Sequence, residues 1–181
     1  MSQEDALVDA LHASTAYEPL AEPLQLFGQF IGAWDLEWHG LDRSGSSIVV
    51  KGELHFGWIL DGRAVQDVWR VPVDPNDATR MRGFHGTTIR FYDPRIGAWR
   101  STWLDPLNGR VRRFVGRLVD NAIVLEGLDE DPRERWSFRD ITPDSFRWTG
   151  EQSTDGGHTW TIDDEMLARR RIWSGPRRQD L

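Results

Sequence analysis

The stretch Phe27-Gly-Gln-Phe-Ile-Gly-Ala-Trp-Asp-Leu-Glu-Trp38 decides the fold. Beyond Ile31-Gly32, the residues Trp34, Leu36 and Trp38 alternate with Asp35, Glu37 and His39. That is the period-2 pattern of a strand with one buried face. Before the joint, Leu24, Phe27 and Ile31 share one face at helical spacing. Pro23 suits the first turn of that helix, where its missing N–H leaves no bond unmade. The stretch therefore reads as a short helix that covers one end of a barrel and runs directly into the barrel's first strand.

Downstream the chain is almost all strand. Residues 47 to 59 put Ile48, Val50, Leu54, Phe56 and Trp58 on one face, and Leu60-Asp-Gly-Arg63 is a hairpin turn signal. Residues 64 to 71 return with Val65, Trp69 and Val71. Further strands are predicted at 83–92, 98–104, 111–119, 121–128, 133–140, 145–153 and 160–169, separated by short turns rich in Asp, Asn, Pro and Gly. A polar loop runs through Asp74-Pro-Asn-Asp77. No helical segment separates the strands, which disfavours a parallel sheet. The pattern predicts an all-β chain, a single antiparallel up-and-down β-barrel of nine or ten strands with a short N-terminal helical segment plugging one end. Upstream, Ser2 and Asp5 resemble a capping box before a narrow stripe of Leu7, Val8 and Leu11, so a helix is expected over residues 3 to 13. Residues 1–26 form a helical lead-in, 27–171 the barrel, and 172–181, with Arg177 and Arg178, a flexible tail.

The 181 residues suffice for one domain with a real core. Ten Trp and eight Phe supply large rings suited to strand faces and pocket walls. A net charge of −7 argues against nucleic acid or an anionic membrane as the main partner. There is no Cys, which excludes disulfides, thiolate metal sites and a Cys nucleophile and fits a cytoplasmic location. No signal peptide or membrane span is visible.

Several residues are candidates for chemistry. His85 shares a face with Ile89 and Phe91, where it could act as an internal ligand or proton carrier. Arg90 and Tyr92 occupy the opposite face with Phe84 and Thr88; inside a cavity they could hold a carboxylate. Gln152 follows Phe146, Trp148 and Gly150 on one face, as an orienting amide in an aromatic wall. Among the tryptophans, Trp38, Trp58, Trp69, Trp103 and Trp148 are expected at a pocket, and Trp34 at the base of the barrel. The histidines lack metal-binding spacing, and no phosphate loop or nucleophile elbow is present, so no metal and no catalytic set is assigned. Ser153-Thr-Asp-Gly-Gly-His-Thr-Trp160 fits the Asp-box pattern of sialidase propellers. A single copy is a turn device, with Asp155 bonding the turn backbone.

Gly32-Ala-Trp34 at the start of the first strand resembles the Gly-x-Trp of lipocalin-like (calycin) barrels. The order of Gly32–Trp34, Trp58–Arg63, Tyr92-Asp93 with Trp99, and Ser153–Trp160 is similar to that of a bacterial family of lipocalin-like domains of unknown function. The resemblance spans residues 27 to 170 and implies a barrel with a cavity and no agreed activity. Nitrobindin-type heme barrels are more distantly similar in shape. This chain lacks their Gly-rich opening, and Thr161 to Arg169 holds no His for an axial ligand, so heme is not expected unless His85 substitutes, and no cofactor is assigned. The expected function is binding of a small, largely apolar molecule in a Trp-lined cavity. Two alternatives stand beside it. One is a cofactor-free lyase, isomerase or hydrolase using His85, Arg90, Tyr92 or Asp164. The other is a structural or interaction protein, forming a homodimer through an open sheet edge or the Arg-rich tail.

Overall fold

The structure is a computed structural model that describes residues 3–41, 45–72, 83–128 and 132–172. Ser2 of the expected capping box, the loop at Asp74–Asp77, most of the turn before Arg133 and nearly all of the tail lie outside these residues. Among the described residues no helix is long and apolar enough to cross a membrane.

Helix α1 (Gln3–Leu11) leads to a two-residue strand, β1 (His12–Ala13). The helix expected to reach residue 13 stops early because His12 and Ala13 pair with Ile59 and Trp58 instead. A 3₁₀ turn (Glu18–Leu20) and α2 (Ala21–Gly28) precede the sheet. The strands that follow are β2 (Gly32–Leu41), β3 (Ser47–Ile59), β4 (Ala64–Val71), β5 (Phe84–Asp93), β6 (Ala98–Asp105), β7 (Arg110–Val119), β8 (Ala122–Gly127), β9 (Arg133–Arg139), β10 (Ser145–Ser153) and β11 (Thr161–Arg170). Each pairs antiparallel with the next, β11 returns to β2, and β3 carries β1 as an extra strand. The result is a closed ten-strand barrel in which no barrel strand lacks a neighbour on either side. The sheet edge through which a dimer would form is thus absent from the barrel wall.

The opening stretch is held by bonds that its sequence prepares. After α2 the chain tightens, with Phe30 N–H donating to the Phe27 carbonyl at 3.1 Å and Ile31 N–H to the Gly28 carbonyl at 3.2 Å. These i→i+3 bonds give three residues per turn, so Leu24, Phe27 and Phe30 stack on one line. All three are buried, whereas Ile31, expected on that line, is only half-buried. The helix-end carbonyls need donors. Trp34 Nε1 donates to the Phe30 carbonyl at 2.7 Å. From β11, Arg170 Nη2 and Nη1 donate to the carbonyls of Gln29 and Ile31, each at 2.8 Å. The same guanidinium lies 4.1 Å over the Trp34 ring. One arginine thus closes the seam between the last strand, the first strand and the plug.

Phe27 and Phe30 sit among Trp34, Phe56, Trp99, Phe138 and Phe146, with ring centroids 4.8 to 6.2 Å apart. That half of the barrel is filled with side chains. The β3–β4 turn docks on the lead-in, with Arg63 stacked 3.5 Å over Tyr17. Leu60, Asp61 and Gly62 all take positive φ there, and a Cβ on Gly62 would strike the Thr15 carbonyl.

Candidate functional site

In an antiparallel barrel the end of one strand lies beside the start of the next. Residues late in β4, β6 and β10 therefore meet residues early in β5, β7, β9 and β11 at the end away from α2. There the core leaves a cavity of about 200 Å³. Its wall holds the indoles of Trp69, Trp103, Trp136 and Trp148, with Phe84 and Met166. The indoles form a chain of edge-on contacts: Trp69 to Trp148 at 5.2 Å, Trp148 to Trp136 at 5.3 Å, Trp136 to Trp103 at 6.1 Å and Trp103 to Trp69 at 6.0 Å. Edge-to-face packing at these separations is favourable and keeps each ring fixed. Gly86 makes room for one of them, because a Cβ there would overlap the Trp103 ring and lie 2.5 Å from the Leu104 carbonyl.

The rim is charged. Arg112 Nε donates to both carboxylate oxygens of Glu134 at 3.1 Å. Arg135 Nε donates to Glu151 at 2.7 Å and its guanidinium covers Trp160 of the Asp-box turn at 4.1 Å. A bulge after Gly150 makes Asp163 an extra residue of β11, since Gly150 opposes Asp164 and Glu151 opposes Ile162. Both aspartates consequently reach the cavity. Asp164 accepts from Trp38 Nε1 at 3.0 Å, and Asp163 accepts from Gln152 Nε2 at 3.1 Å. Trp69 Nε1 and Trp148 Nε1 are buried donors with no hydrogen-bond partner among the described residues. Among the described residues no group of His, Cys, Asp and Glu is arranged to hold a metal.

Between the cavity and the plug lies a buried ion pair, Arg90 Nη2 to Asp67 Oδ2 at 2.6 Å, with exposures of 1% and 0%. Asp67 Oδ1 also accepts the Thr88 N–H at 3.0 Å. Burial pushes the Arg90 guanidinium below its ordinary value and the adjacent Asp67 charge opposes that shift. Phe27, Phe56 and Phe138 surround the guanidinium, with centroids 4.6, 5.6 and 5.9 Å away.

Of the residues singled out from sequence, Trp69, Trp103, Trp148 and Gln152 come together at the cavity. Trp38 is fully buried and touches the site through Asp164. Trp58 sits at the plug end, its ring so close to Gly28 that a Cβ there would lie 2.7 Å away. Arg90 points inward, yet its charge faces Asp67. Tyr92 is half-buried against Trp99 at 6.3 Å, beside α2. His85 lies exposed on the outer face, because the inner face of β5 is the one that carries Phe84, Gly86, Thr88 and Arg90. The sequence pattern puts Phe84 on the Arg90 face without marking it as a pocket residue, and it does not single out Met166, Arg112 or Glu134. For Arg112 the available signal was its phase with Phe114 along β7.

Fold and cavity together define a lipocalin-like antiparallel barrel, plugged at one end and open and aromatic at the other. No family model and no curated protein sequence matches the chain. Solved structures do. Rv2717c from M. tuberculosis superposes with a TM-score of 0.56 at 14% identity, covering 82% of this chain and 97% of that one. The S-type phycobiliprotein lyase CPES from Guillardia theta gives 0.55 at 12% identity, covering 82% and 92%. At such identities the likeness is one of fold.

Proposed function

We propose that this barrel binds a small, largely apolar molecule that enters at the end away from α2. The cavity walled by four indoles carries the reading. The other half of the barrel holds the ring cluster around Phe27 and Phe30, and a stable core has no need of a void among its largest side chains, since interiors are close-packed. The volume sets the ligand's scale. A cavity of about 150 Å³ already takes benzene, so about 200 Å³ holds one ring or a small fused pair. Anything larger would have to project past the rim of Arg110, Glu151 and Asp163. A barrel of similar fold is a phycobiliprotein lyase in Guillardia theta, so the architecture is compatible with handling small molecules.

Native mass spectrometry of freshly purified protein, followed by titration with one-ring aromatic probes, tests the reading. The expected outcome is saturable quenching of indole fluorescence at one site per chain. If no probe smaller than the cavity binds saturably and no molecule is retained, the binding role is wrong.

A further inference from the structure

The outer face of β4 to β7 is apolar where the rest of the barrel surface is charged. One cross-strand row is Val68–Thr87–Leu104–Val111, and Ile89 and Phe91 extend the face along β5. Val68, Phe91, Leu104 and Val111 are 37% to 57% exposed. The polar groups between them are already bonded. Gln66 Nε2 donates to the Thr87 hydroxyl at 2.9 Å, and that hydroxyl donates to the Asp67 carbonyl. Arg100 Nε donates to Asp93 at 2.8 Å. Asp93 is the one carboxylate at the outward positions of these four strands, and it is buried. The opposite wall is different: Asp35 faces Glu53, Glu37 faces Lys51, and Arg147 pairs with Glu165.

We infer that this face joins two copies of the chain in an isologous dimer, whatever the cavity binds. Barrel closure leaves no barrel strand edge to pair, so association uses a face. Four strands ~4.8 Å apart and three side-chain repeats of ~6.8 Å make the face about 20 Å on each side. That is the size of apolar patch that marks a contact site on a soluble protein. With Arg70, Arg113 and Leu128 at its rim it approaches the ~800 Å² that each partner contributes to a stable interface. Charge selects the occupant. The chain carries −7, so two copies repel unless they meet where no carboxylate is exposed. A two-fold contact sets the same face against itself, uncharged against uncharged. Sheet faces pack about 10 Å apart with their side chains interdigitated. Because Gln66, Thr87 and Arg100 are bonded within their own protomer, covering them strands no polar group.

Sedimentation equilibrium of the full chain over about 1 to 100 µM tests this, and a monomer–dimer equilibrium with a micromolar constant is expected. Phe91→Glu and Val111→Glu, made separately, each put a charge on the face of both copies and should weaken the dimer by about 100-fold or more. Val49→Glu is the control, at a site 56% exposed on β3 and away from this face. It should leave the constant within about twofold. Hydroxyl-radical footprinting of wild type needs no variant, so a folding defect in either Glu substitution leaves the question decided. Phe91 and Leu104 should lose labelling as the dimer forms, and Val49 should keep its own. If wild type is monomeric at about 100 µM, the face does not join copies of this chain and the inference is overturned. It is overturned equally if the dimer survives both Glu variants, if Phe91 and Leu104 stay labelled in the dimer, or if assembly continues past two copies.

Discussion

Asp67 and Arg90 show at single-residue scale what the barrel interior demands. They lie on β4 and β5, where Asp67 opposes Thr88 and Val65 opposes Arg90. Taking two charges out of water is costly, and their attraction roughly offsets that cost only while both are present. Arg90→Met should therefore destabilise the protein by about 3–5 kcal/mol in urea unfolding, since it strands a buried carboxylate. Asp67→Leu combined with Arg90→Met should recover most of that loss. If the double variant is as unstable as the single one, the pair stabilises the barrel outright. Asp93 gives a pH signature. Arg95, and then Arg100, hold its carboxyl far below the usual carboxylate range through bonds of 3.0 and 2.8 Å. The folded-state pKa is depressed, so the stabilisation is complete above the unfolded value near 4 and is lost as pH falls below it. Wild type should be more stable than Asp93→Asn at pH 7, and the two should converge toward pH 2. A gap that stays constant with pH would remove Asp93 as the cause.

At the scale of elements, legibility in the sequence follows how cleanly each strand alternates. β2 and β3 were readable because Trp34, Leu36, Trp38, Leu54, Phe56 and Trp58 all face the core while charged residues face out. β5 was not readable, because its inner face carries small and charged residues while Phe91 stands 42% exposed outside. Gly86 is inside to make room for Trp103, and Arg90 is inside to meet Asp67. Both reasons lie on neighbouring strands, where a one-strand pattern cannot show them. The cavity was legible in part, since its Trp residues share the clean faces. The bulge that brings Asp163 to the cavity depends on β10 and β11 together. The segment after α2 was misphased for a local reason, its switch from 3.6 to three residues per turn. That switch predicts a contrast between adjacent positions. Phe30→Ala removes a ring 1% exposed among five aromatic neighbours and should cost about 3–5 kcal/mol. Ile31→Ala should cost about 1 kcal/mol or less, as at a half-exposed site. Equal losses in chemical denaturation would restore the α-helical phase.

Over the whole molecule the barrel divides its labour along its axis. Strand closure removes every edge from the wall, so stability comes from the filled half, where α2 and Arg170 tie the two ends of the sheet together. The open half is held by ring-edge contacts around a void and by ion pairs on its rim. Truncations in the two halves should therefore separate stability from binding. Trp34→Phe loses the bond to the Phe30 carbonyl and part of its buried area, and should cost about 1–3 kcal/mol while leaving probe affinity within about twofold. Trp136→Ala removes a half-buried ring from the cavity wall, beside Phe114 at 4.2 Å. It should weaken binding of one-ring probes by about tenfold, the worth of roughly 1.4 kcal/mol of lost apolar contact, and admit larger ones. Saturating ligand should raise the midpoint of thermal unfolding in Trp34→Phe as much as in wild type, because binding to the folded state alone stabilises it by mass action. In Trp136→Ala the same ligand concentration should raise it less. If the affinity loss instead tracks the stability loss across both variants, the two halves form one cooperative unit and the cavity is not an independently tunable site.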